Sequence, residues 1–183
     1  MRIGETCCSW FGSAQTTVSH KLQNRGTVAE APTITWNTQA DAATYFSLAL
    51  KPDWLKVATL VPVPYSKARN HADYDDRMAR VCRGIDIGAP IDVRELIIQK
   101  ESKTAAHELA VGEHRPTVAA LMANYGIDEA LTLPKPKVIG IFDDVQTVGS
   151  HFRAVSDVLK ERWADVPIVG IFVARCVHLP PQF

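Results

Sequence analysis

Apolar residues along this chain fall into two patterns that alternate, short solid runs and stretches spaced as one face of a helix. The run Val138-Ile139-Gly140-Ile141-Phe142 has the length and composition of a strand buried on both faces, and Phe152, Val155 and Leu159 recur after it at helical spacing. Between them lie Asp143, Asp144 and a turn of small residues, so the segment reads as strand, loop, helix. Leu55 to Val63 is a second apolar run, which Val61-Pro62-Val63-Pro64 brings to an end because proline cannot donate to a sheet ladder. Val93 to Gln99 and Pro167 to Ala174 complete four main strands, and Thr33 to Trp36 suits a short edge strand.

Three further helices separate them. The first runs from an Asn37 or Thr38 cap to about Leu50, with Ala42, Tyr45, Phe46, Ala49 and Leu50 on one face, and stops at Pro52. Asp73 or Tyr74 begins the second, which turns Met78, Val81 and Cys82 inward and ends at Gly84. Pro116 starts the third, with Val118, Leu121, Met122 and Tyr125 on one face and Gly126 at its end. Strands alternating with helices imply right-handed crossovers, a mostly parallel sheet and helices on both faces. The expected order of the four strands is 2-1-3-4, which places the switch point between the Val-Pro-Val-Pro strand and the Asp-Asp strand.

Residues 1–32 show little periodicity and read as an arm or a disordered leader, leaving 33–183 as a single domain. Lys100 to Arg115 is polar and mixed in charge, which suits a long hairpin or a mobile loop. At 183 residues, 46% hydrophobic, the chain holds one sizeable core. Lys plus Arg equals Asp plus Glu at 20 each, so no global field favours nucleic acid or a membrane surface, and any anion site must be local. There is no basic stripe or aromatic platform for nucleic acid, since Trp10, Trp36, Trp54 and Trp163 are widely dispersed. No apolar run reaches the roughly 18 residues that span a bilayer, and the first residues lack a signal-peptide core; by elimination the expected location is cytoplasmic. Cys7, Cys8, Cys82 and Cys176 have neither zinc-ligand nor disulfide-framework spacing.

In an open parallel sheet, ligands bind outside the carboxyl ends of the strands, where a helix N-terminus offers unpaired N–H groups to an anion. Thr147 to Ser150 stands at such a place. Gly149 permits a left-handed backbone, Thr147 and Ser150 add hydroxyls, and the adjacent carboxylates suit a sugar diol or hydrated Mg²⁺. The same residue types also suit a strand end with two solvated aspartates and a capped helix. Tyr65-Ser66-Lys67-Ala68-Arg69 brings two cations to the same sheet edge, or forms a solvated surface loop.

The order Asp143-Asp144-Val145-x-Thr147-x-Gly149 resembles the phosphoribosyl pyrophosphate (PRPP) signature of type I phosphoribosyltransferases, with Val148 and His151 standing where that pattern usually has hydroxyl residues. Taken with Leu60 to Pro64 and the Lys100 to Arg115 loop, residues 55 to 175 are similar to the ComF-like branch, without its zinc ribbon. The resemblance implies a three-layer Rossmann-like phosphoribosyltransferase fold and displacement of pyrophosphate from PRPP by a nitrogen nucleophile. It implies that Thr147, Val148, Gly149, Ser150 and His151 hold the 5′-phosphate, and that Asp143 and Asp144 contact the ribose hydroxyls and Mg²⁺ through water. Tyr65, Ser66, Lys67 and Arg69 would approach the pyrophosphate, and Lys103 and Arg115 would close over it. The expected ligand is PRPP or a nucleotide 5′-phosphate, with a homodimer allowed. A non-catalytic module binding the same ligands is the alternative. A receiver-like reading with Asp143 as phosphoacceptor lacks the acidic pair after the first strand and the lysine after the last, where Arg175 stands.

Overall fold

The computed structural model describes residues 16–18, 34–36, 39–102, 116–146 and 148–175. In chain order the elements are Thr16–Val18 (β1), Ile34–Trp36 (β2), Gln39–Ala49 (α1), Pro52–Leu55 (α2), Ala58–Pro62 (β3), Arg77–Gly84 (α3), Asp92–Val93 (β4) and Ile97–Gln99 (β5). They continue with Val118–Asn124 (α4), Tyr125–Ile127 (β6), Val138–Gln146 (β7), Ser150–Arg162 (α5) and Ile168–Arg175 (β8). The central sheet has the order β4-β3-β7-β8 with every pairing parallel, the 2-1-3-4 order that the alternation predicts. β5 and β6 form a separate antiparallel ribbon, as do β1 and β2.

Each face of the sheet is covered because its strands are apolar on both sides. One face packs Leu60, Phe142, Ile171 and Val173 against Ala42 and Phe46 of α1, Leu55 of α2 and Met78, Val81 and Cys82 of α3. The other packs Val61, Ile139 and Ile141 against Leu121 of α4 and Ala154, Val155, Val158 and Leu159 of α5. Leu60, Ile139, Ile141 and Phe142 are fully buried; each such side chain contributes about 1.5–3 kcal/mol relative to exposure. The result is an α/β fold with a parallel four-stranded sheet between helices, compatible with a Rossmann-like arrangement. No helix among the described residues is long and apolar enough to cross a membrane.

Several boundaries differ from the sequence expectation. The run from Leu55 does not begin as strand: Pro52 opens a short helix, Leu55 plugs the core from it, and β3 starts at Ala58. The expected strand from Val93 to Gln99 is broken. Arg94 still donates its N–H to Leu60, but its guanidinium turns to Asp92 and to the carbonyls of Leu131 and Pro134. The chain then leaves the sheet edge and pairs with β6 instead. Tyr125 and Gly126 are accordingly strand residues rather than the last helical turn. The second helix starts at Arg77, after Asp75 has taken the Arg77 N–H. Of the expected arm over residues 1–32 only Thr16–Val18, paired with β2, is described; residues 1–15 and 19–33, and 103–115, where most of the expected lid falls, lie outside the described residues.

Candidate functional site

Phe142 is the last β7 residue paired with β3, yet β7 continues to Gln146 alongside β8 alone. Asp143 and Asp144 therefore belong to the strand, not to a loop after it, and among the described residues no strand pairs with them on the β3 side. Every residue of β7 from Ile139 to Gln146 has a partner in β8 except Asp144, which interrupts the ladder. Strict alternation would send the two carboxylates to opposite faces. Local hydrogen bonds hold them back instead: the Asp144 N–H donates to Asp143 Oδ1 at 2.9 Å and the Val145 N–H to Asp144 Oδ1 at 2.6 Å. Burial, and then the neighbouring Asp144 charge, push the Asp143 carboxyl well above the usual carboxylate range.

The turn that follows ends at Gly149, whose φ of 77° is left-handed. Glycine adopts this without the Cβ penalty, so the residue is what allows the strand to reverse into α5. Gly149 is also the N-cap of α5 and brings no side-chain acceptor, whereas Thr117 caps α4 by accepting the Ala120 N–H at 3.2 Å. The first-turn amides of α5 thus face the turn without a side-chain cap, at the positive end of a 13-residue helix. Val148 is 72% exposed and Ser150 half-buried. Thr147 lies outside the described residues.

His151, in that first turn, is joined through Nδ1 to the Tyr125 hydroxyl at 2.8 Å. Tyr125 comes from β6 and is 2% exposed; burial, and then the Asp143 carboxylate, raise its phenol pKa. Sequence reasoning assigned Tyr125 to an apolar helix face and missed this role. The available signal was the hydroxyl itself, since a buried tyrosine ordinarily finds a hydrogen-bond partner.

The β3 exit loop reaches the same end of the sheet. Val63 donates its N–H to the Phe142 carbonyl at 2.8 Å, so Pro64 to Ala68 leaves beside Asp143. Gln99 Nε2 donates to the Tyr65 carbonyl, and the Ala68 N–H donates to Ser102 Oγ. Asn124 then bonds Gln99 and both donates to the Glu101 carbonyl and accepts its N–H, tying the root of the 100–115 segment to the exit loop. Within that loop the Ser66 hydroxyl oxygen is buried with no hydrogen-bond partner among the described residues. The Tyr65 ring lies under the Arg77 guanidinium at 5.7 Å. Lys67 is half-buried.

Arg69 is directed elsewhere. Its guanidinium donates to Asp128 at 2.6 Å and to the Glu95 carbonyl at 2.8 Å, bracing the β5–β6 ribbon. The structure thus brings Asp143, Asp144, Gly149, Ser150, His151 and the Tyr65–Lys67 loop to one end of the sheet and sets the Arg69 side chain apart from them. Lys103 and Arg115 lie outside the described residues.

Among the described residues, no three or more His, Cys, Asp or Glu side chains could hold a metal ion. Two hard oxygen donors, one of them held above its usual pKa by burial and its neighbour, nonetheless suit Mg²⁺, which keeps waters and takes phosphate oxygens as ligands. No family model, curated protein or solved structure matches the chain.

Proposed function

We propose that the chain is a Mg²⁺-dependent phosphoribosyltransferase of the three-layer Rossmann-like type, displacing pyrophosphate from PRPP with a nitrogen nucleophile. The observation that carries this reading is the succession, at one sheet edge, of a half-buried carboxylate pair and a helix entered through a left-handed glycine. Such a helix start recruits a phosphate monoester, and the carboxylates of Asp143 and Asp144, six and five residues before Gly149, reach the hydroxyls of the attached ribose. Its resemblance to the PRPP signature supports the same assignment.

The amides of Val148 to His151 anchor the 5′-phosphate, which fixes the sugar relative to β7. Asp143 and Asp144 accept from the ribose hydroxyls and stabilise positive charge as the C1–O bond to pyrophosphate breaks and the C1–N bond forms. Pyrophosphate leaves with the bonding pair. Asp143 and Asp144 would hold Mg²⁺, through water, and the ion would supply charge neutralisation of that leaving group. The Ser66 hydroxyl and the Lys67 ammonium give the β3 exit loop a donor pair for the same oxygens.

Arg69, tied to Asp128, favours a second reading, a non-catalytic module that binds PRPP or a nucleotide 5′-phosphate. Calorimetric titration of PRPP with and without Mg²⁺ tests both. Binding enhanced by Mg²⁺ and lost in Asp143→Asn/Asp144→Asn and in Gly149→Trp supports the site. Absence of heat and of protection by PRPP at any Mg²⁺ level overturns it. Where binding holds, pyrophosphate release with a panel of nucleobases separates transferase from module.

A further inference from the structure

We propose that β8 is an interface for a second copy of this chain, pairing antiparallel with its counterpart across a two-fold axis at Ile171. This role goes beyond the transferase reading and does not depend on it. The two edges of the central sheet differ in kind. β4 is two residues long, and its Asp92 accepts from Thr59 Oγ1 at 2.7 Å and from Arg94 Nε at 2.8 Å, a short charged edge of the sort that resists pairing with another chain. β8 is eight residues long, holds neither charge nor proline from Ile168 to Ala174, and among the described residues has no strand on the side away from β7. Val169 is 41% exposed there, and Gly170 beside it is exposed as well. A long apolar edge of this kind is a template for another strand.

The backbone of β8 selects the register. The Ile139 N–H donates to the Pro167 carbonyl at 2.9 Å, and in a parallel ladder the N–H and C=O of one residue point the same way. Pro167, Val169, Ile171 and Val173 therefore address β7, while Ile168, Gly170, Phe172 and Ala174 turn their backbone groups outward. An antiparallel copy centred on Ile171 opposes Ile168 to Ala174 and Gly170 to Phe172, the one register in which every outward group of these four meets another. On the face that Ile171 and Val173 share with Trp54, it sets Val169 against Val173 and Ile171 against itself, pairs of β-branched side chains that stabilise neighbouring strands. Charge favours a second copy as the occupant. Asp165 precedes the strand and Arg175 ends it, so antiparallel self-pairing brings unlike formal charges together at both ends, and the chain has no net formal charge to drive copies apart. The two-fold closes on itself, so assembly stops at the dimer.

Sedimentation equilibrium of the full chain over a range of concentrations reads the association, with circular dichroism reporting that each variant is folded. The native chain is expected to be a dimer, and Val169→Lys to dimerise roughly a hundredfold more weakly, because each strand would have to bury an ammonium. Val57→Lys, at a comparably exposed valine that precedes β3 rather than lying on β8, is expected to leave the dimer unaltered. Oxidation of mixed Val169→Cys and Val173→Cys chains tests the register without a charge: the two are expected to cross-link to each other beyond the level either reaches alone, since they oppose one another as a closely spaced pair. A native chain that stays monomeric, as it would if another segment of the same chain covered β8, overturns the proposal. So do assemblies that grow beyond a dimer, a Val169→Lys dimer as tight as the native one, or absence of the mixed cross-link.

Discussion

The two halves of β7 obey different rules. Val138 to Phe142 lies between β3 and β8, with Ile139, Ile141 and Phe142 fully buried and Gly140 admitting Trp54. Asp143 to Gln146 runs on with β8 alone, interrupts the ladder at Asp144 and crowds two carboxylates together. One strand thus joins a segment optimised for packing to one held in an unfavourable electrostatic state. A fold tolerates such a segment when the neighbouring core over-determines it.

Breaking the first half should have the largest effect. A Cβ on Gly140 would stand 2.8 Å from the Trp54 ring and 3.0 Å from both Ile171 and Leu60. Three neighbours cannot all yield in a close-packed core, so Gly140→Val is expected to lower unfolding free energy by about 3 kcal/mol. Urea denaturation followed by circular dichroism measures it, and a loss below 1 kcal/mol would show that Trp54 moves aside freely.

That half of the strand was legible because its signal is apolar and local. Val138 to Phe142, the helical face of Val155 and Leu159, and the strand order all follow from periodicity, and Gly149 announced its left-handed turn. The second half was not, because a polar extension along a single neighbour leaves no pattern to separate it from a loop. Tyr125 was hidden for a related reason: an aromatic beside Gly126 fits the end of an apolar helix as well as a buried strand. Arg69 looked available for an anion because its partner Asp128 lies 59 residues away.

Asp143→Asn addresses the second half and should act in the opposite direction. Burial and Asp144 make ionised Asp143 costly in the folded chain, so the amide is expected to stabilise by about 1–2 kcal/mol at neutral pH without divalent cations. With the folded pKa above the unfolded one, the cost is absent at acid pH, where both states are protonated. It grows as pH rises through the interval between the two values and is constant above it. The mutant's advantage should therefore open on going from acid to neutral pH, as read from denaturation midpoints in chelator; an advantage that does not change with pH would assign it to packing rather than charge.

Asp75 supplies the control, a carboxylate of the same type in a compensated setting. Burial alone would raise its pKa, but the side-chain and backbone hydrogen bonds from Arg77, together with Arg80, outweigh it and hold the carboxyl below its usual range. The stability it contributes is present above the unfolded pKa and disappears as pH falls through the folded one. Asp75→Asn is expected to cost about 1 kcal/mol at neutral pH, a partly exposed pair being worth no more. That cost should close toward acid pH, so two Asp→Asn changes in one domain should move stability in opposite directions at pH 7 and converge on the native value below pH 3 (about one unit under the carboxylate reference). If Asp75→Asn instead stabilised, its arginine cluster would be as unfavourable as the carboxylate pair on β7, and the contrast between a compensated acid and an uncompensated one would not hold.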